Sequence, residues 1–401
     1  MRPLGYRGTC MKRTMYIAVM ALVVVWGGTA IAADAPTVNL NWYGYFKLDG
    51  AYDQNPTSHG NFIMWIPQES AYGDKGQFTM TANETRLGLN AVGNGYGNVA
   101  VGGKLEVDLY ASITGAAIAE NKAMLQLRHA YFTLEKGSVR LLAGQSWDLI
   151  SPLNPSTLNY SVLWGCGNTG YRRPQVSLWY TAKPDKTTEI VFAGGVFRTI
   201  GNDLTPTFTL ATGEANDGVD DGTDAVLPSF QTLIDIKHTT ASGGSFRGGL
   251  SGLYGAMKAE TNQGRSQDYS AWAMVAHLMV SPSSRFGFSG ELFTGSNLGG
   301  YFGCILRNSE VDGLKTTGGW VSSWVQASKK TQVSAGYGID DPKDDLIASG
   351  RTKNTCLYGN LRYTLVPKAT VGVELARWQT DYKGAGNSDD VRVQTSFILG
   401  F

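Results

Sequence analysis

The sequence predicts an all-β fold: a 16-stranded antiparallel transmembrane β-barrel with short periplasmic turns and long extracellular loops. Three features predict it. Segments of about ten residues alternate apolar and polar side chains with period two, and no long stretch beyond Ala33 keeps a clean 3.6-residue period. The connectors between these segments form two series, one short and one mostly long. The chain carries 10 Trp, 19 Tyr and 15 Phe in 401 residues, yet only 17% of it is Asp, Glu, Lys or Arg, against roughly 25% in an ordinary soluble domain.

The expected barrel starts after a leader. From Met11, the expected start, two cations (Lys12, Arg13) precede an apolar run and then small residues at Ala30 and Ala32, the pattern of a secretory signal peptide over residues 1–32. The apolar run, from about Met15 to Trp26, is too short for a spanning helix of roughly 20 residues. Removing it takes away Arg2, Arg7, Lys12 and Arg13 and no acid, leaving 30 cations against 33 acids in a single barrel domain, residues 33–401. No basic surplus exists to neutralise a phosphate backbone, so no nucleic-acid partner is expected. The 51 glycines show no Gly-X-Y period, which excludes collagen, and the aromatic content opposes disorder.

In the first segment, from Asn39, Leu40, Trp42, Gly44, Phe46 and Leu48 share one face while Asn41, Tyr43, Tyr45, Lys47 and Asp49 share the other. The second starts near residue 77 and contains a conflict: Phe78 and Met80 have the parity of Arg86, whereas Leu87 and Leu89 have the opposite one. A bulge or a face turned from lipid is therefore expected near Ala82. The third, near 99, sets Leu105, Val107 and Leu109 against Lys104, Glu106 and Asp108. Further segments start near 123, 138, 175, 187, 229, 245, 269, 284, 314 and 330. The last three start near 355, 369 and 389: Leu357, Leu361 and Leu365 oppose Asn360, Arg362 and Thr364 in the first of them, and Val391, Val393, Phe397, Leu399 and Phe401 alternate with Arg392, Gln394 and Ser396 in the last. Lipid supplies no hydrogen-bond partners, so each backbone amide must pair within a closed sheet, and closure removes the edges. Clusters such as Trp42, Tyr43, Tyr45 and Trp320, Trp324 fit interfacial girdles. A secreted β-sandwich or β-helix is the competing architecture, but neither explains the alternation of connector length.

The closing VRVQTSFILGF, ending in Phe401, resembles the terminal strand of Gram-negative outer-membrane proteins, which implies recognition by the barrel-assembly machinery. The runs Glu84–Leu89, Leu127–Leu134 and Leu142–Trp147 look like porin segments. Within the trimeric porins the RHAYFTL and AGQSW runs and Arg392-Val393-Gln394 are most similar to the DcaP-like group. The long N-terminal helical segment of some members has no counterpart here. The resemblance implies a homotrimer in a lipopolysaccharide-bearing outer membrane, passive uptake and a preference for small carboxylate anions.

A porin acts through the field across its constriction, set by charged lumen-facing side chains and an inward loop. Lys47, Arg86 and Arg128 occupy positions resembling the basic wall of porins, and Arg362 and Arg392 lie on polar faces of later strands. The competing reading pairs the first three with Asp49, Glu84, Glu106 or Asp108 across neighbouring strands. The connector from Ser151 to Pro174 resembles by order the constriction loop, yet it contains no Asp or Glu and ends in Arg172-Arg173, which points to a positive throat. Those two arginines either reach the pore or anchor the loop to the wall. Tyr160, Trp164 and Tyr171 offer an apolar surface to an aromatic or aliphatic acid. The next long connector holds Asp217, Asp220, Asp221 and Asp224, a weak Ca²⁺ candidate without EF-hand spacing beside the simpler reading of a solvated loop.

The four histidines are isolated, and no Cys-x-x-Cys, His-Glu-x-x-His, Gly-x-Ser-x-Gly or Walker loop occurs, so no catalytic residues and no cofactor are expected. A barrel lipase remains open, since a triad is defined by geometry. A nonselective or sugar-selective porin and a structural or adhesive barrel are the alternatives to an anion channel. Of Cys166, Cys304 and Cys356, the last two are expected to be neighbours at one rim, leaving Cys166 free.

Overall fold

The computed structural model describes residues 38–69, 75–95, 97–111, 123–206, 208–308 and 313–401; the expected leader and start lie outside them. The strands are β1 (Val38–Asp53), β2 (Gln77–Thr81), β3 (Arg86–Asn94), β4 (Ala100–Ala111), β5 (Met124–Lys136), β6 (Val139–Trp147), β7 (Arg172–Ala182), β8 (Thr188–Phe197) and β9 (Ser229–Thr239). They continue with β10 (Ser245–Glu260), β11 (Ser266–Ser283), β12 (Phe286–Ser296), β13 (Lys315–Gln326), β14 (Thr331–Pro342), β15 (Arg351–Val366), β16 (Ala369–Tyr382) and β17 (Gly386–Gly400).

From β3 onward each strand pairs antiparallel with the next, and β17 closes on β1 from Tyr45↔Gly400 to Asp53↔Arg392. β2 and β3 both pair with β1, over Asp49–Asp53 and Val38–Tyr45 respectively, so they are two halves of one strand and the closed barrel has 16. The break between them, at residues 82–85, is where parity conflicts: Phe78 and Met80 are exposed before it and Leu87 after it. Each expected start lies within about four residues of an observed one.

The outer face is apolar over the whole circumference, with Trp42, Phe132, Leu178, Leu250, Leu292, Leu357 and Leu375 among its exposed side chains. A monomeric soluble protein rarely exposes so large an apolar area, and this is the belt a bilayer covers.

The inside is not an open tube. Ile63 and Ile66 from the loop after β1, and Leu153, Leu163 and Cys166 from the loop after β6, pack on inward residues of β13, β15 and β16: Trp320, Cys356, Tyr358, Ala376 and Trp378. Leu298, Tyr301, Cys304 and Leu314 from the loop after β12 pack on Leu253, Met257, Ala273, Val275 and Phe293. The inner faces of β10–β13, β15 and β16 are thus partly buried beneath inward-folded loops.

This packing corrects the cysteine expectation. All three thiols are free and buried; Cys304 belongs to the packing beside β10–β12, while Cys356 shares its surroundings with Cys166. Connector order alone could not show that the loop after β6 carries Cys166 down onto the far wall.

Candidate functional site

The loop after β6, residues 148–171, makes the narrow part of the lumen, and the wall holds it by its backbone. Glu374 accepts from the amides of Leu158 (2.6 Å) and Asn159 (3.3 Å), and Glu291 accepts from the amide of Leu153 (2.8 Å). The side-chain amide of Asn360 donates to Ser156 O (2.6 Å) and that of Asn354 to Gly165 O (2.7 Å). Asp340 holds the loop after β12 in the same way, through the Ile305 amide at 2.9 Å. A loop in a lumen has no ladder to join, so its amides need side-chain partners, and these wall residues supply them. Its tip lies against bare backbone: a Cβ on Gly338 would stand 2.2 Å from Cys166 O, and one on Gly167, at φ +109°, would stand 2.1 Å from Gly319 O.

Several expected pore residues take part in this anchoring. Lys47 is buried, pairs with Asp49 (3.4 Å) and Glu84, and donates to Leu158 O (3.0 Å). Arg362 donates to Thr157 O at 2.7 Å. Arg392 is buried, pairs with Asp53 (3.2 Å) and donates to Asn61 O (2.9 Å). Arg173 is fully buried, pairs with Asp148 (2.7 Å), donates to Gly300 O (2.9 Å) and covers the Tyr301 ring. For Arg173 and Arg392 a place in the pore is therefore corrected to loop anchoring: each charge is matched by a buried acid and its donors go to carbonyls. Arg172 is buried between the Trp147 and Tyr171 rings and donates to Tyr171 Oη (2.7 Å).

Arg128 is set by a β-bulge. Glu106 faces His129 and Val107 faces Leu127, leaving Arg128 as the extra residue, so Arg128 and His129 are buried side by side. Arg128 donates to Glu106 (2.7 Å) and Asp108 (2.6 Å), so its charge is locally neutralised. Tyr160 donates to Asp108 (3.1 Å) and stacks on Tyr110 at 3.8 Å; Trp164 stacks on Phe302 at 4.8 Å; Tyr171 Oη accepts from Gln126 (2.7 Å). Tyr160 and Tyr171 tie the loop to the wall and Trp164 ties it to the loop after β12; of the three, only Tyr160 and Trp164 border the narrow cavity.

Three neighbouring cavities with lining residues in common lie inside the barrel beside the loop. The narrow one, about 340 Å³, lies between the loop and Arg86, Lys104, Glu106, Arg128 and His129. It shares Trp147 and Asn154 with a cavity of 280 Å³, which in turn shares Arg140, Trp179 and Arg247 with one of 640 Å³ at the short-turn end. Exposure decides which sign a solute meets. Beside the narrow cavity the Arg86 and Lys104 side chains are 21% and 26% exposed, but Glu106 is 5% and Asp108 0%. Further along, Arg247 is 23% exposed over an Asp235 at 3%. Lys104, Arg140 and Arg247 were not singled out as pore residues from the sequence; parity puts Lys104 inward, but nothing in the sequence shows which member of an ion pair reaches water.

The proposed Ca²⁺ cluster does not assemble. Asp220 caps a short helix, α1 (Asp221–Asp224), and accepts from the Gly222 and Gly201 amides; Asp221 accepts from the Leu204 amide and Tyr269 Oη; Asp217 accepts from the Val219 amide. The oxygens serve separate turns, and among the described residues no three acidic, His or Cys groups converge on a metal position. Burial pushes the Asp221 carboxyl up to about 7, aided by the nearby Asp203 and Asp220 charges and opposed by its hydrogen bonds.

A closed 16-stranded antiparallel barrel, narrowed by an inward loop after its sixth strand segment, is the porin architecture. In particular, the chain is similar to the outer membrane channel DcaP of Acinetobacter baumannii, with 22% identity, a TM-score of 0.70, and coverage of 93% of this chain and 100% of that one. It is also similar to an anion-selective porin from Comamonas acidovorans (13% identity, TM-score 0.55, 91% and 100% covered). The trimer form of OmpT, an outer membrane protein of Vibrio cholerae, gives 10% identity, TM-score 0.55, and 92% and 100% coverage. No protein-family model matches the sequence, and neither does any curated protein.

Proposed function

We propose that this chain is an outer-membrane porin that passes small anionic solutes, carboxylates among them, down their gradients without chemistry or cofactor. The observation that carries the reading is the layering of charge along the passage. Arg86, Lys104 and Arg247 are the exposed members of pairs whose acids are buried, and the one acid of the constriction loop, Asp148, is itself buried against Arg173. Beside the narrow cavity and at Arg247 a solute therefore meets cationic tips with the compensating carboxylates behind them, while at the short-turn end the exposed Glu135 and Glu189 are accompanied by Arg140, Lys183 and Lys237. The shared architecture with an anion-selective porin and with the DcaP channel supports the same direction. A homotrimer is the assembly supported by the trimer form of OmpT. Phe401, whose amide donates to Gly44 O (3.1 Å) beside the Phe46 ring, is the proposed assembly signal for the barrel-assembly machinery, and lipopolysaccharide is the expected outer-leaflet neighbour.

Zero-current potentials of the purified channel in a KCl gradient across a planar bilayer test the reading. Anion preference is expected, and cation preference overturns it. Swelling of loaded liposomes in monocarboxylates against neutral sugars separates an anion channel from a nonselective or sugar-selective one, and absence of conductance leaves only a structural barrel.

A further inference from the structure

The 280 Å³ cavity between the throat and the short-turn end has a composition that a simple aqueous passage does not need. Its walls include Tyr131, Leu142, Trp147, Trp179 and Leu233. Behind them Leu149, Ala193, Phe197 and Leu233 form an apolar cluster inside the barrel, with Trp179 packed against it. The Trp179 ring is held in orientation: its Nε1 donates to Ser177 Oγ (3.1 Å), which donates to Gln175 Oε1 (3.1 Å).

Two guanidiniums stand where this cavity opens toward the short turns. Arg140 lies 4.5 Å over the Trp179 ring with Glu135 4.0 Å from its Nε, and Arg247 is fixed through Nε to Asp235 at 3.0 Å. Among the described residues, the terminal amino groups of neither arginine donate to an acceptor, so each retains donors for a ligand. At the other side the cavity meets Ser151, Asn154 and Thr169 and the acid Asp148, whose charge Arg173 already takes. A second carboxylate reaching across would find no exposed cation there.

We propose that this cavity is a binding station for anions with one carboxylate and an apolar body, aromatic acids of one ring above all, distinct from the charged throat above it. The carboxylate pairs with Arg140 and Arg247, and the ring lies among Trp179, Tyr131 and Trp147. This deepens the anion-channel reading and rests on it, naming the solute class by an apolar wall that carboxylates without such a body would not use. A station of this kind binds weakly enough to release, raising the local solute concentration at the exit side.

Single-channel block by solutes added on the short-turn side tests the station. Benzoate should block at a concentration about tenfold lower than acetate, succinate or neutral benzamide, since only benzoate offers both a ring to bury and one charge. Trp179→Ala and Arg140→Gln should each raise the benzoate blocking concentration about fivefold and leave acetate nearly unchanged, whereas Trp179→Phe should keep most of the block. Equal potency of benzoate and acetate, or unchanged block in both Trp179→Ala and Arg140→Gln, overturns the proposal. The zero-current potential of the same wild-type channels reads the anion preference separately: cation preference defeats the parent reading, while anion preference without selective benzoate block defeats the station alone.

Discussion

Arg86 on β3 and Arg128 on β5 are both inward cations, one on each side of β4, yet they should answer substitution differently. Arg128 donates to two buried acids, Glu106 and Asp108. Arg128→Gln should strand them, costing about 3–5 kcal/mol of barrel stability, measured as a lower unfolding temperature of the heat-modifiable form, with little direct effect on the field. Arg86 is partly exposed and 3.7 Å from Glu106, so Arg86→Gln should leave the barrel intact. It should lower the anion-to-cation permeability ratio by up to about fivefold, the equivalent of about 1 kcal/mol for a unit charge met at 4 Å in water. Glu374 is the matching case among the acids. Glu374→Ala removes the acceptor for two loop amides and should loosen the constriction, at about 1–3 kcal/mol per stranded donor, seen as noisier and larger single-channel currents. Strand parity made Arg86 and Arg128 legible as inward residues. It could not rank them, because their partners come from other strands and the bulge at Arg128 follows from pairing rather than composition.

At the scale of elements, the strand segments were readable because lipid on one side and water or polar loops on the other impose a strict period of two. The broken strand β2–β3 announced itself by its parity conflict. The constriction loop was placed by order alone, and its seat was not visible: the glycines that receive it, Gly319 and Gly338, read as ordinary strand residues. Gly338→Ala should force the loop tip away from the wall and into the passage, so reduced conductance in a barrel of unchanged β content is the expected result. The helix α1 supplies a pH test outside the membrane. The folded Asp221 carboxyl sits near 7 against an unfolded value near 3.8, so the folded state holds the proton more tightly. Stability of that loop should be greatest below about pH 4 and fall as pH rises toward 7. Limited proteolysis there should accelerate over that interval, and Asp221→Asn should flatten the dependence.

For the whole molecule, the low charged fraction follows from a wall whose outer face is apolar and whose inner face on one side is packed like a protein core. Counting thiols checks that packing: denaturation without reductant should give three free thiols for residues 38–401, since Cys166, Cys304 and Cys356 are each buried in apolar surroundings. The residues that hold the loops in place, such as Glu291, Glu374, Asp340 and Arg392, are largely separate from Arg86, Lys104, Arg140 and Arg247, which meet the passage. Because one set carries the mechanical frame and the other the solute's field, such a barrel can acquire a new diet by exchanging a few lumen side chains while its scaffold stays untouched. The loop-packed interior thus leaves the side chains at the cavities exchangeable without disturbing the packing that holds the loops.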